Sequence, residues 1–508
     1  MAQEHFDIAI IGGGPGGYST ALRAAELGKS VVLIERDATL GGTCLNRGCI
    51  PSKTLLTATH AVENMRHAKA MGINVSVESI DFGKLRTFRT QTVDTMTKGL
   101  AGWLAHRGVT IVRGEAAMQP CGRVHVTPVE GLGHILRFVK AGVGEPIDGE
   151  LEIVAEDIVI ATGSRPSPLP DNPFAGALID STQALELDTF PSSAVIIGAG
   201  AVALGFGSYS VSQPEAGALE FAFMWRTAGC DVTLLIRKDR VLSAWERRTS
   251  ATLTRELKRR GVNIITHSHV THVETGANLG ATVHYTREGS EADMSAYGEV
   301  VLAAIGRIPN TDADWFEACK LERDARGFIG IDAFGRTNLD HVWALGDITS
   351  GHSLAHRAFE QGIVIAEKIA GLDPKPVDDD TIPQVVFSFP EAACVGLSLD
   401  EARARKDVVN AQETVYPMLS NSRMLMSGSG GSLSIVSGAY ADNPEVPLVL
   451  GAHIVSPIAS DLIAEAEQLV GNHVPLHDAA RLIHPHPTFS ETFGEALLKA
   501  DGRPLHTR

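Results

Sequence analysis

The chain is poor in cysteine, in surplus positive charge and in long apolar runs, and each shortage removes a class of function. Six cysteines in 508 residues are too few for a disulfide-stapled secreted scaffold, so a close pair of them reads as chemistry. Lys and Arg number 44 against 60 Asp and Glu, a formal charge of −16. Such a surface is ill suited to phosphate backbones or anionic lipid, so no nucleic-acid partner is expected. No stretch approaches the roughly 18 uninterrupted apolar residues that span a bilayer. The opening MAQEHFDIAI carries Glu4 and Asp7 where a secretory signal would be basic. A cytoplasmic chain without a membrane span is expected.

Glycine, by contrast, is abundant at 51 residues, and it clusters at two strand-to-helix turns. Phe6 to Ile11 is a short apolar run, followed by GGGPGG, an alanine-rich helical segment and a second apolar run, Val31 to Ile34, ending at Glu35. Gly12, Gly14 and Gly17 thus form G-x-G-x-x-G inside a β-α-β unit. The spacing suits a dinucleotide. Gly12 allows the tight turn, Gly14 lets backbone approach a pyrophosphate, Gly17 lets the helix pack close, and Glu35 accepts from a ribose. The order recurs at AVII, GAGAVA and VTLLI, with Gly198, Gly200 and Ala203 as the small residues. The expected fold class is α/β, with two Rossmann-like dinucleotide-binding domains and a C-terminal α+β domain. The expected divisions are 1–165 for the first unit, 166–298 for the second, 299–378 for a part completing the first, and 379–508 for the last.

Between the first unit and its long helices stands GGTCLNRGCIPSK, with Cys44 and Cys49 five apart and Lys53 four beyond. A C-x4-C spacing at a helix start can bring two sulfurs together where the helix dipole favours a thiolate. A metal half-site needs two more soft ligands, and Cys121, Cys230, Cys319 and Cys394 are solitary, so no metal is expected. A redox-active pair beside a flavin uses both the nucleotide turn and the cysteines.

The combination of GGGPGG, GGTCLNRGCIPSK, ATGSRP, AIGRIPN, ALGDI with LAHRAFEQG, IPQVVFSFPE and HPHPTFSE resembles the pyridine nucleotide-disulfide oxidoreductases over nearly the whole chain. LAH at Leu354 to His356 and the C-terminal HPTFSE look most like the dihydrolipoyl dehydrogenase branch. The resemblance implies FAD along the first unit, in contact with Gly12, Gly14, Gly17, Glu35 and Thr43, with Lys53 near the flavin. It places Thr162, Gly163 and Ser164 on the nucleotide, Asp347 on the ribityl chain, and Leu354, Ala355 and His356 beside the ring system. Cys49 would face the flavin and Cys44 would exchange with substrate. His486, five residues before Glu491, would be the base that takes a thiol proton, with His484 a decoy. In this family the base serves the other subunit's disulfide, so a homodimer is implied, with residues 379–508 at the interface. A lipoyl-bearing acyltransferase or a glycine-cleavage carrier protein would be the partner.

The second unit departs from the family. The family's acid lies seven residues after the first glycine, whereas the matching Glu220 lies 22 beyond Gly198, so 15 residues are inserted, approximately LGFGSYSVSQPEAGA within 204–219. Ser212 and Glu215 read as a fresh capping box. An insert that loops out before the helix costs the glycine turn its dipole, and one that bulges later spares it. Intact Gly306 to Asn310 favours retained binding of NAD. Arg237, Lys238 and Arg240 close the second strand where NAD-specific relatives carry an acid, so NADP is also open. The expected activity is oxidation of protein-bound dihydrolipoyl groups by NAD(P)+. The alternatives are an NADPH-dependent disulfide reductase and a flavoprotein subunit with impaired nicotinamide binding.

Overall fold

A computed structural model describes residues 2–139, 144–198, 214–276 and 280–507. The first unit is built on a parallel core: Ala2–Ile11 lies between Val31–Glu35 and Leu151–Ile160, with Thr110–Arg113 beyond the former and Val342–Ala344 beyond the latter. Every residue of Val31–Glu35 is buried, as expected of a strand covered on both faces. Helix Pro15–Glu26 packs against Ala355–Ile369, so residues beyond 340 complete the first unit. Antiparallel strands extend both edges of the sheet.

The second unit carries five parallel strands in the order Leu178–Ile179, Val300–Ala303, Ser193–Ile197, Asp231–Leu235 and Asn263–Ile265. Val300–Ala303 pairs directly with Ser193–Ile197, so the expected division at 298/299 falls one strand early. The run VVLA is buried at every position and can only be satisfied inside this sheet. A three-stranded antiparallel sheet, Ser268–Thr275, Ala281–Arg287 and Ser290–Gly298, caps this unit.

The C-terminal unit is a five-stranded antiparallel sheet with helices Ala459–Gly471 and Glu491–Ala500 against it. Phe493 and Leu497 of the last helix are fully buried there. Two long helices, Cys49–Ala68 and Phe82–His106, pack on one another, and the first also contacts helix Pro214–Thr227 of the second unit. Two dinucleotide-type units and a C-terminal α+β domain are therefore present. No helix among the described residues is long and apolar enough to cross a membrane.

Candidate active site

The first glycine turn is shaped by close backbone approach. Gly12 has φ +110°, and a Cβ there would stand 2.3 Å from the Ala161 carbonyl oxygen. A Cβ on Gly17 would stand 1.8 Å from the Gly12 carbonyl oxygen, so both positions exclude a side chain. Gly14 caps the helix that begins at Pro15 and leaves its first amides open to a ligand. Glu35 ends the second strand, accepting from the Gly13 amide at 2.8 Å and the Asp37 amide at 2.9 Å. Burial raises its carboxyl pKa, and those amides oppose the rise. A cavity of about 830 Å³ runs from this turn, past Thr43, Thr162, Gly163, Ser164 and Asp347, to the two cysteines.

Cys44 sits on the short helix Gly42–Arg47, and Cys49 is the first residue of Cys49–Ala68. The two thiols stand close enough to shift one another's protonation. Their interaction, together with burial, drives Cys44 well above the ordinary thiol range. The same interaction lowers Cys49 despite burial, and the Lys53 ammonium one turn along lowers it further. Cys49 is the sulfur poised as thiolate. Lys53 is held in turn by Glu220, whose oxygens lie 2.8 and 3.0 Å from its Nζ, and it stands 4.5 Å over the Phe387 ring. Glu220 comes from the second unit's helix, is buried, and also accepts from the Phe387 amide at 3.1 Å.

One lining residue escaped the sequence reading. Arg307 donates from Nε to the Ser164 hydroxyl at 2.6 Å and from its terminal nitrogen to the Ser164 carbonyl at 2.7 Å, with Asp347 3.8 Å away. The Ser164 hydroxyl bonds Asp347 in turn. Burial lowers the Arg307 pKa, while Asp347 and Cys49 oppose that. Its signal was in plain view, since it follows Gly306 in AIGRIPN.

The remaining expected residues divide. Leu354 and Ala355 line the cavity, whereas His356 turns its ring to the Pro383 carbonyl at 2.8 Å and does not. Gly306 also stays outside the lining, and Gly17 lies beneath the turn. In the second unit Gly198 has φ +124°, and a Cβ there would stand 2.1 Å from the Ala304 carbonyl oxygen. Gly200, Ala203 and Ser212 lie outside the described residues. The helix is continuous from Pro214 to Thr227, so the stretch read as insertion ends inside its first turns, and residues 204–213 lie outside the described residues. Arg237 is half-buried at the end of Asp231–Leu235, and Arg240 is engaged by Asp239 and the Ser243 carbonyl.

His486 and Glu491 meet at 2.7 Å through Nδ1, and Glu491 also accepts from the Thr488 amide at 2.8 Å. Burial alone would raise Glu491, but the amide and His486 bring it below the usual carboxylate range. The His486 side chain is 78% exposed and lies outside the lining of its own chain's cavity. His484 is half-buried against Glu465 at 2.6 Å. A single chain therefore does not bring the imidazole to the cysteines.

The pyridine nucleotide-disulphide oxidoreductase family model matches residues 6–362, and the family's dimerisation domain matches 382–497. The chain is 35% identical over 501 residues to a dihydrolipoyl dehydrogenase of Geobacillus stearothermophilus, covering 98% of this chain and 97% of that one. A dihydrolipoyl dehydrogenase of Chlamydia pneumoniae is 33% identical over 508 residues, covering 100% and 99%. The crystal structure of LpdA from Mycobacterium tuberculosis superposes with a TM-score of 0.81 at 24% identity, covering 98% of this chain and all of that one.

Proposed function

The chain belongs to the pyridine nucleotide-disulphide oxidoreductase family, and on that premise we propose that it is a dihydrolipoyl dehydrogenase. The observation that carries the reading is the Cys44–Cys49 pair at the end of the cavity, with Lys53 and buried Glu220 behind it.

The first unit fits FAD on its own geometry. Gly12 and Gly17 leave no room for a Cβ, the uncapped helix start at Gly14 and Pro15 lines the cavity, and Glu35 closes it as an acceptor. Gly12, Gly14, Glu35 and Thr43 would hold the dinucleotide, and Asp347 with Ser164 and Arg307 the chain leading to the ring. FAD bound there would supply a two-electron acceptor for the cysteine pair and a hydride donor for a nicotinamide dinucleotide.

The residues perform the thiol chemistry. A substrate thiolate attacks Cys44 Sγ of the oxidised pair; a mixed disulfide forms, the Cys44–Cys49 bond breaks, and Cys49 leaves as thiolate. Lys53 and the helix start stabilise that charge. The second substrate thiol then attacks the mixed disulfide, closing the lipoyl ring and releasing Cys44. His486 takes the thiol proton at Nε2, because Glu491 holds Nδ1 and fixes the tautomer. The exposed His486 would come from the partner subunit, so each site needs two chains. The substrate would be a lipoyl group on an acyltransferase or a glycine-cleavage carrier.

NAD would occupy the second unit, with Gly198 at its glycine turn. Arg237 supports NADP as a second reading, decided by comparing kcat/KM for the two nucleotides. The test of the main reading is anaerobic mixing with dihydrolipoamide. With at least two equivalents of dihydrolipoamide, four electrons in all, reduction of both cysteine pair and flavin is expected, and a flavin and pair that both stay oxidised would sink the assignment.

A further inference from the structure

The antiparallel sheet of the second unit gathers a set of ligands that takes no part in the chemistry above. His272 on Ser268–Thr275 stands directly opposite His284 on Ala281–Arg287, and Glu274 lies two residues on along the same face. One donor atom from each of the three falls within 4.8 Å of the others. His272 Nε2 is 3.5 Å and His284 Nε2 3.7 Å from the Glu274 carboxylate. Tetrahedral zinc with bonds of about 2.0–2.2 Å separates neighbouring donors by about 3.3–3.6 Å.

The other ring nitrogens are already engaged. Asp293, on the third strand, holds His284 Nδ1 at 3.1 Å, and the Thr271 hydroxyl contacts His272 Nδ1 at 3.3 Å. Both rings thus direct Nε2 towards Glu274, and His284 Nε2 is buried with no hydrogen-bond partner. A carboxylate behind a histidine is the arrangement that orients a metal ligand and strengthens it as a donor. The rings stack at 4.2 Å and 8°, so their planes are nearly parallel and the more exposed His272 ring turns to bring both Nε2 lone pairs onto one ion.

We propose that His272, Glu274 and His284 bind a zinc ion, with Asp293 positioning His284. Two imidazoles and one carboxylate are a borderline donor set that suits zinc over magnesium or calcium. Glu274 and His272 are solvent-exposed, which leaves a fourth position for water. The ion would join two strands of the sheet and balance the charge of Glu274.

The probe is Zn2+ alone, titrated calorimetrically into the FAD-loaded full chain in which Cys44, Cys49 and Cys121 are replaced by serine, so that no accessible thiol competes. One ion per chain with a micromolar dissociation constant is expected. H284A should weaken binding by about 100-fold, H272A and E274Q by about tenfold or more, and D293N by about tenfold. Two results would each overturn the proposal. One is no binding below millimolar zinc, which makes the cluster an ion pair only. The other is affinity unchanged in both H272A and the conservative E274Q, which places the ion elsewhere, for instance on His486 and Glu491.

Discussion

The two dinucleotide-type units share one joint, and in the second the helix beyond it also braces the cysteines. In each, a strand ends at a glycine with positive φ, Gly12 at +110° and Gly198 at +124°. In each, the backbone of a neighbouring strand blocks a Cβ, at 2.3 Å in the first and 2.1 Å in the second. After Gly12 the helix begins at Pro15; after Gly198 it is described from Pro214, sixteen positions on. The second helix nevertheless packs in place, because Glu220 reaches Lys53 beside the cysteines. A nucleotide-unit helix has two separable tasks here, presenting its N-terminus to phosphate and bracing the neighbouring active site. The insertion leaves the second task intact, since Glu220 still meets Lys53.

The largest effect that separates the tasks should come from the cysteines. Cys49→Ser is expected to lower dihydrolipoamide oxidation by about a thousandfold or more while nucleotide affinity stays unchanged. His486→Gln should cost about 100- to 10,000-fold. Mixed dimers of Cys49→Ser and His486→Gln chains should regain activity, since one of the two sites in each then has both groups. Absence of any recovery would break the shared-site account.

Next come the glycines. Gly12→Ala should abolish flavin retention, measured as FAD per chain, whereas Gly198→Ala should leave FAD content intact and raise the nicotinamide KM by about tenfold or more. Excising the fifteen extra residues should lower that KM by about tenfold if they stand between glycine turn and helix dipole. An unchanged KM would mean that the turn never lost its phosphate site.

The smallest effect concerns Glu391, a buried carboxyl in the C-terminal sheet. Glu391 is pushed up from 4.5 to about 7, first by burial, with the Ser460 amide opposing and Asp461 and Glu220 adding to the rise. A carboxyl raised in the folded state costs stability as pH climbs through that window, and the cost is complete above it. Glu391→Gln should therefore stabilise by about 1–3 kcal/mol at pH 8 and leave pH 4 almost unchanged, as read from denaturant unfolding.

Residues that act through local spacing were legible in the sequence. The glycine turn, Glu35 and the C-x4-C pair belong to short motifs whose geometry is set by strand, turn or helix rules, whereas His486 with Glu491 rested on the family resemblance. Contacts assembled by strand pairing were not legible. Val300–Ala303 was assigned to the wrong unit because an apolar run does not state its neighbour. His272 and His284 meet only through antiparallel register, so their spacing carried no metal signature. His356 sits in a telling motif yet faces the Pro383 carbonyl, since helix phase aims it away from the cavity.

The central claim is that one chain's cysteines carry electrons from a dihydrolipoyl dithiol while its partner's His486 takes the thiol proton, independently of the second unit's nucleotide site. The most direct test is stopped-flow reduction of the bound flavin by dihydrolipoamide with no nucleotide present. The account predicts full reduction that is lost in Cys44→Ser, Cys49→Ser and His486→Gln and persists in Gly198→Ala. A flavin that stays oxidised with dihydrolipoamide but is reduced by NADPH would contradict it.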